Sequence, residues 1–129
     1  MASLDHLGLP VSDLERAKSF YTKVLAPLGI TLLRTVPASV TGNFDVHGFG
    51  KDQKPDFWLS QKSTVTPPLH IAFAAGSRAE VDAFYAAATA AGAKDNGPPG
   101  PRPQYHRGYY GAFVLDPDGH NIEAVCHKP

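Results

Sequence analysis

A single cysteine, Cys126, stands in the 129 residues of this chain, so no internal disulfide framework holds it together. That scarcity suggests a reducing, cytoplasmic setting. Neither sign of charge is in excess: 12 Lys and Arg balance 12 Asp and Glu. No basic stripe stands out, so nucleic-acid binding has no electrostatic footprint. No apolar run approaches the ~18 residues that a membrane span needs. The N-terminus lacks a charged segment followed by an apolar stretch, which argues against a secretory signal. What remains is ordinary for a soluble globular protein, with 43% hydrophobic and 19% charged residues. The length fits one domain with a real core.

What the chain does have is a repeat that carries histidines. Leu4-Asp5-His6 is followed, fourteen residues after the His, by Phe20-Tyr21. Leu69-His70 is followed at the same spacing by Phe84-Tyr85, and the two units are offset by 64 residues, about half the chain. A unit that cannot close its own core packs on its copy. The copied feature here is also a metal-capable side chain.

Each unit reads as a strand, a helix and further strands. Leu4 to Val11 is strand-like, and Ser12 or Asp13 caps the helix that follows. Leu14, Ala17, Tyr21, Val24, Leu25 and Leu28 recur at helical spacing and form one apolar face, and Gly29 suits the stop. Ile30 to Val36, Asn43 to Phe49 and Asp56 to Gln61 follow as short strands. In the second half Leu69 to Ala75 is a strand. Ser77 caps a helix with Glu80 three residues on, as in a capping box. Val81, Phe84, Tyr85, Ala88 and Ala91 form its buried face, and Gly92 ends it. Gly97 to Pro103 is expected to be an irregular surface loop, because proline lacks the N–H donor that regular structure needs. Tyr109 to Leu115 and His120 to His127 form a hairpin across the turn Asp116-Pro117-Asp118-Gly119.

Among six histidines, any one alone is most often a strand residue with its hydrogen bonds met. The repeat sets His6 and His70 apart, since they hold equivalent places in equivalent first strands. If the two units pack about a pseudo-twofold axis, the imidazoles converge. Glu123 is the best further ligand, because it lies mid-strand between Ile122 and Ala124, where an unpartnered buried carboxylate is costly. Two imidazoles and one carboxylate with open positions suit iron(II), and equally Mn, Zn, Co or Ni.

Three segments carry a family resemblance: Leu4 to Asp13 with Phe20-Tyr21, then Leu69 to Phe73, then Phe113 to Val125 with its Asp-Pro-Asp-Gly turn and strand glutamate. Over its whole length the chain resembles the vicinal oxygen chelate superfamily of glyoxalases, bleomycin-resistance proteins and extradiol dioxygenases. The resemblance implies an α+β fold of two paired βαβββ modules forming a cupped mixed sheet. Here that is one domain over residues 1–129, with modules at about 1–62 and 67–129. It implies one divalent metal ion on His6, His70 and Glu123. Glyoxalase I uses a fourth protein ligand, a carboxylate or Gln, from the last strand of the first module. The repeat offset maps that place to about position 59, and Phe57-Trp58-Leu59-Ser60 holds no carboxylate.

The expected function is a metal-dependent enzyme of glyoxalase (lyase) or dioxygenase type acting on a small oxygenated substrate. The alternative is a metal-independent drug- or metabolite-binding resistance protein. His106, Tyr105 and Arg107 are the candidate catalytic groups. Trp58, Arg102, Tyr109 and Tyr110 are expected to line the substrate pocket, with the segment Gly97 to Arg107 as its cover. The expected partners are the substrate and a second copy in a homodimer, with neither nucleic acid nor membrane.

Overall fold

The computed structural model describes residues 4–66 and 69–128. The expected module ends at residues 1–3, 67 and 129 lie outside them. Two four-stranded sheets carry the fold. The first contains β1 (Leu7–Val11), β2 (Thr31–Val36), β3 (Val46–Lys51) and β4 (Lys54–Gln61), in the order β1-β4-β3-β2. The second contains β5 (His70–Ala74), β6 (Lys94–Pro101), β7 (Tyr110–Leu115) and β8 (Asn121–Cys126), in the order β5-β8-β7-β6. In both, the first strand pairs in parallel with the last and the other pairings are antiparallel, so the repeat is one of structure. β1 and β5 are each an edge strand.

Helix α1 (Leu14–Leu25) follows β1, and Asp13 is its cap, accepting from the Arg16 N–H at 3.1 Å. The apolar spacing read from the sequence is its buried face, with Phe20 added. A 3-10 turn, Ala26–Leu28, ends at Gly29 with φ +76, a conformation that favours glycine. The short helix α2 (Ala38–Thr41) falls where no helix was expected. Helix α3 (Arg78–Ala90) is capped by Ser77, which accepts from the Glu80 N–H at 3.2 Å. The Glu80 carboxylate accepts from the Gly76 N–H at 3.1 Å, one residue beyond the N-cap N–H of the usual capping box. Among the described residues, no helix is long and apolar enough to cross a membrane.

The Pro/Gly segment corrects an expectation. Lys94–Pro101 is not an irregular loop but the edge strand β6. An edge strand has one neighbour, so half of its N–H groups have no ladder bond to make and proline costs little there. The register with β7 jumps twice, between Asp95 and Gly97 and between Gly97 and Gly100. The Arg102 guanidinium then donates to the carbonyls of Pro98 at 2.7 Å and Gly100 at 2.8 Å.

Strand alternation divides each sheet into a core face and an open face. Ile71, Phe73, Ala112, Val114, Ile122 and Ala124 face the core with Val81, Phe84 and Ala88 of α3. Phe57 of the first sheet meets Phe73 of the second edge-on, with centroids 5.1 Å apart. One hydrophobic core therefore serves both halves. His70, Ala72, Glu123 and Phe113 alternate with these residues and belong to the open face.

Candidate functional site

Glu123 is paired in register with Ala72 of β5 and Phe113 of β7. Its carboxylate is 1% exposed, and Oε1 lies 2.8 Å from His70 Nε2. The Tyr109 hydroxyl donates to Oε2. Burial first, and the bond to Glu123 second, push that phenol well above its usual range, so it stays a donor. Ala72 and Gly111 adjoin Glu123, and Phe113, its register partner on β7, lies 6.1 Å from the His70 ring.

Beside this pair stands an aromatic wall. Tyr109 packs edge-on against Tyr105, His106 and His127, with centroids 5.0, 5.2 and 5.3 Å away. His106 stacks on His127, and His106 Nε2 lies 2.9 Å from His127 Nδ1. His106 Nδ1 faces the Arg107 carbonyl at 2.7 Å and so must donate to it. In the neutral pair His106 Nε2 then accepts from His127 Nδ1, which leaves His127 Nε2 as the proton-accepting atom. The sequence reading passed over His127. Its spacing of two from Val125 and four from Glu123 was the available signal, since it places all three on one face of the strand.

The other expected site residues are dispersed. His6 precedes β1, is exposed, and turns its Nδ1 to Asp5 at 2.8 Å. Asp5 also pairs with Lys54 at 2.8 Å; this bond first, and His6 second, hold its carboxyl below the usual range. His6 and His70 line one cleft of about 810 Å³ between the edge strands, together with Leu7, Phe57 and Phe73, but Glu123 does not line it. Among the described residues, no group of three His, Cys, Asp or Glu side chains is close enough to hold a metal. Arg102 is engaged by carbonyls and lies over the Phe113 ring at 5.5 Å. Tyr110 lies on the core side of its sheet, bonded to Asp82 at 2.7 Å under Arg78, so it faces away from Glu123. Tyr105 and Arg107 are exposed.

Trp58 falls within one residue of the place that the repeat offset gives. Gly8 pairs with Trp58 in the first sheet as Ala72 pairs with Glu123 in the second. Trp58 therefore occupies the position equivalent to Glu123. Its ring lies over Gly48, where an added Cβ would sit 2.9 Å from it.

The sequence model of the Glyoxalase/Bleomycin resistance protein/Dioxygenase superfamily matches residues 3–124. The chain belongs to that superfamily. Its α+β fold of two mixed sheets is the one found among solved members. A glyoxalase/bleomycin resistance protein from Albidiferax ferrireducens is 27% identical, with TM-score 0.79, over 99% of this chain and 100% of that one. A glyoxalase I mutant from Zea mays is 26% identical, with TM-score 0.71, over 95% of this chain and 46% of that one. The fosfomycin resistance protein FosX from Listeria monocytogenes shares the fold at 21% identity and TM-score 0.67, over 96% of this chain and 90% of that one. That FosX structure is a complex with manganese(II) and a dihydroxypropylphosphonic acid. A search of curated proteins finds no match.

The superfamily includes metalloenzymes, and the donor chemistry on the open face fits a divalent ion. A buried carboxylate oxygen faces an imidazole nitrogen, and both atoms are ligands that Zn, Fe, Mn, Co and Ni accept.

Proposed function

We propose that the chain is a metal-dependent enzyme of glyoxalase or dioxygenase type, acting in the cytoplasm as a homodimer on a small oxygenated substrate. The observation that carries this reading is the 2.8 Å approach of His70 Nε2 to the buried Glu123 carboxylate. His70 and Glu123 would hold the ion from one copy and His6 from the other. This division is supported by the edge positions of β1 and β5, which leave His6 and His70 beside unpaired strand edges. A twofold dimer closes both edges at once and makes two equal sites. The exposed Leu4, Leu7 and Leu69 along the cleft are suited to being covered in the same step.

A bound divalent ion supplies Lewis acidity toward the substrate oxygens. The chain's own residues do the rest. Tyr109 holds the carboxylate, and Phe113 and Trp58 supply apolar walls. His106 and Tyr105 stand at the rim, and the His106–His127 pair presents a proton acceptor through His127 Nε2. Arg107, exposed on the same loop, is the cation available to an anionic substrate group. Trp58 in place of a fourth ligand, a carboxylate or Gln, leaves the site without a second acid–base carboxylate, which disfavours the proton-shuttling isomerase chemistry of glyoxalase I.

One observation favours metal-independent binding instead. Both oxygens of Glu123 already have hydrogen-bond partners, so the carboxylate is satisfied without an ion. Metal analysis separates the two readings. Wild-type protein should hold one ion per chain, and His70→Ala and His6→Ala should each lose it. Mixing those two variants under subunit exchange should restore about a quarter of the wild-type content, because half of the dimers then carry one intact site. Wild-type protein that binds no divalent ion would leave the binding-protein reading standing. No recovery on mixing would place His6 and His70 of one site in the same chain.

A further inference from the structure

The two oxygens of Glu123 have different partners, one from a strand and one from a turn. Oε1 faces His70 on the neighbouring strand β5. Oε2 accepts from Tyr109, which precedes β7 and closes the turn that begins at Arg102. That turn is tied three times, by the Arg102 N–H donating to the Tyr109 carbonyl at 2.8 Å, the Tyr105 N–H donating to the Arg102 carbonyl at 3.0 Å and the Tyr109 N–H donating to the His106 carbonyl at 3.2 Å. Three rings then pack the phenol from its sides. The orientation of the hydroxyl is thus fixed by backbone and packing before the carboxylate is considered.

The bond also needs a gap. Gly111 lies between Tyr109 and Glu123 on the open face, and a Cβ added there would sit 3.1 Å from Tyr109 Cε1 and 3.2 Å from Glu123 Oε2. Both separations are tighter than ordinary van der Waals contact. Gly111 has an ordinary negative φ, so the backbone does not demand glycine. The space does.

We infer that Tyr109 is a positioning residue that occupies Oε2 of Glu123 and leaves Oε1 as the single oxygen for a divalent ion shared with His70, with Gly111 as the gap that admits the phenol. The inference rests on the metal reading above. A carboxylate with both oxygens free can bind an ion through two, and one with an oxygen occupied binds through one. Hydrogen-bond partners of ligands set such geometry and change metal affinity when removed.

Cobalt(II) is the probe, because its visible absorption reports coordination number, being several-fold weaker as ligands are added. The full chain is loaded as wild type, Tyr109→Phe, Gly111→Ala and the double variant, and each is checked by circular dichroism. Tyr109→Phe should still bind one cobalt(II) per chain, with the visible band reduced at least about twofold as the freed oxygen joins the ion. Gly111→Ala should reproduce that spectrum, and the double variant should add nothing. A Tyr109→Phe spectrum identical to wild type overturns the inference and leaves the metal reading intact. Wild-type protein that takes up no cobalt(II) overturns both. If Gly111→Ala fails to fold, the Tyr109→Phe spectrum decides alone.

Discussion

Tyr21 and Asp116 join the two halves of the chain through a buried hydrogen bond of 2.5 Å. The other oxygen of Asp116 accepts from the backbone N–H groups of Asp118 at 3.0 Å and His120 at 2.9 Å. Asp118 in turn accepts from the Ser12 hydroxyl at 2.5 Å. The turn Asp116-Pro117-Asp118-Gly119 is therefore a clasp from the second module onto the start of α1. Within the Phe113 to Val125 segment that carries the family resemblance, the turn itself serves assembly.

Tyr21→Phe should destabilise the fold by about 1.5–3 kcal/mol, the range for a hydrogen bond to a charged group. Burial first, and the Asp116 charge second, hold the Tyr21 hydroxyl well above its usual range. The contribution is full below about pH 10, where the unfolded phenol is also protonated, and it is lost as pH rises further. Urea melts at neutral and alkaline pH should show both effects. Equal midpoints for wild type and Tyr21→Phe would show that the clasp adds nothing.

His47 predicts the opposite pH dependence. Its Nδ1 is 2.9 Å from the Thr35 hydroxyl, its Nε2 is buried with no partner among the described residues, and burial lowers its pKa. The unfolded ring takes up a proton below about pH 6.5 while the folded ring resists it, so stability falls as pH drops through that value. Thermal melts between pH 7 and pH 5 should show a smaller fall in His47→Gln than in wild type. Parallel pH profiles would assign the loss to other groups.

Trp58 is the only tryptophan, so its emission reports on one place. In the proposed site it is one of the apolar walls. Cobalt(II) should quench that emission by more than half at about one equivalent, and Glu123→Gln should remove the quenching. Emission unaffected by a bound ion would place Trp58 away from the site.

Metal removal should also be visible in stability. An ion that binds only the folded state at about a hundredfold over its dissociation constant adds about 2.7 kcal/mol. A chelator should therefore lower the melting temperature of wild type and leave His70→Ala unchanged. Identical shifts in both proteins would locate the ion elsewhere.

Much of the fold was legible without coordinates because it depends on near neighbours in the chain. The faces of α1 and α3 follow helical periodicity, and Asp13 and Ser77 cap through contacts three residues long. The β7–β8 turn is written in four consecutive residues, and the duplication shows at one fixed offset. Alternation placed Glu123 on the face opposite Ile122 and Ala124, but its burial there comes from His70 and Tyr109, which the strand pattern does not record.

What tertiary structure decided depends on partners distant in sequence. Prolines in β6 looked incompatible with a strand, and the edge position removed the need for their N–H groups. Tyr109 and Tyr110 are adjacent in sequence, yet pleating sends one to Glu123 and the other to Asp82. Trp58 stands at the Glu123 position only once strand register is known. His6 and His70 are equivalent by repeat and line one cleft, but Glu123 does not line it, and the halves join through the Tyr21–Asp116 bond and one shared core and not by pairing β1 with β5. Local propensity sets which elements form and which face each buries. Which edges and faces meet is a competition among non-local contacts, and one sequence position carries no record of its outcome.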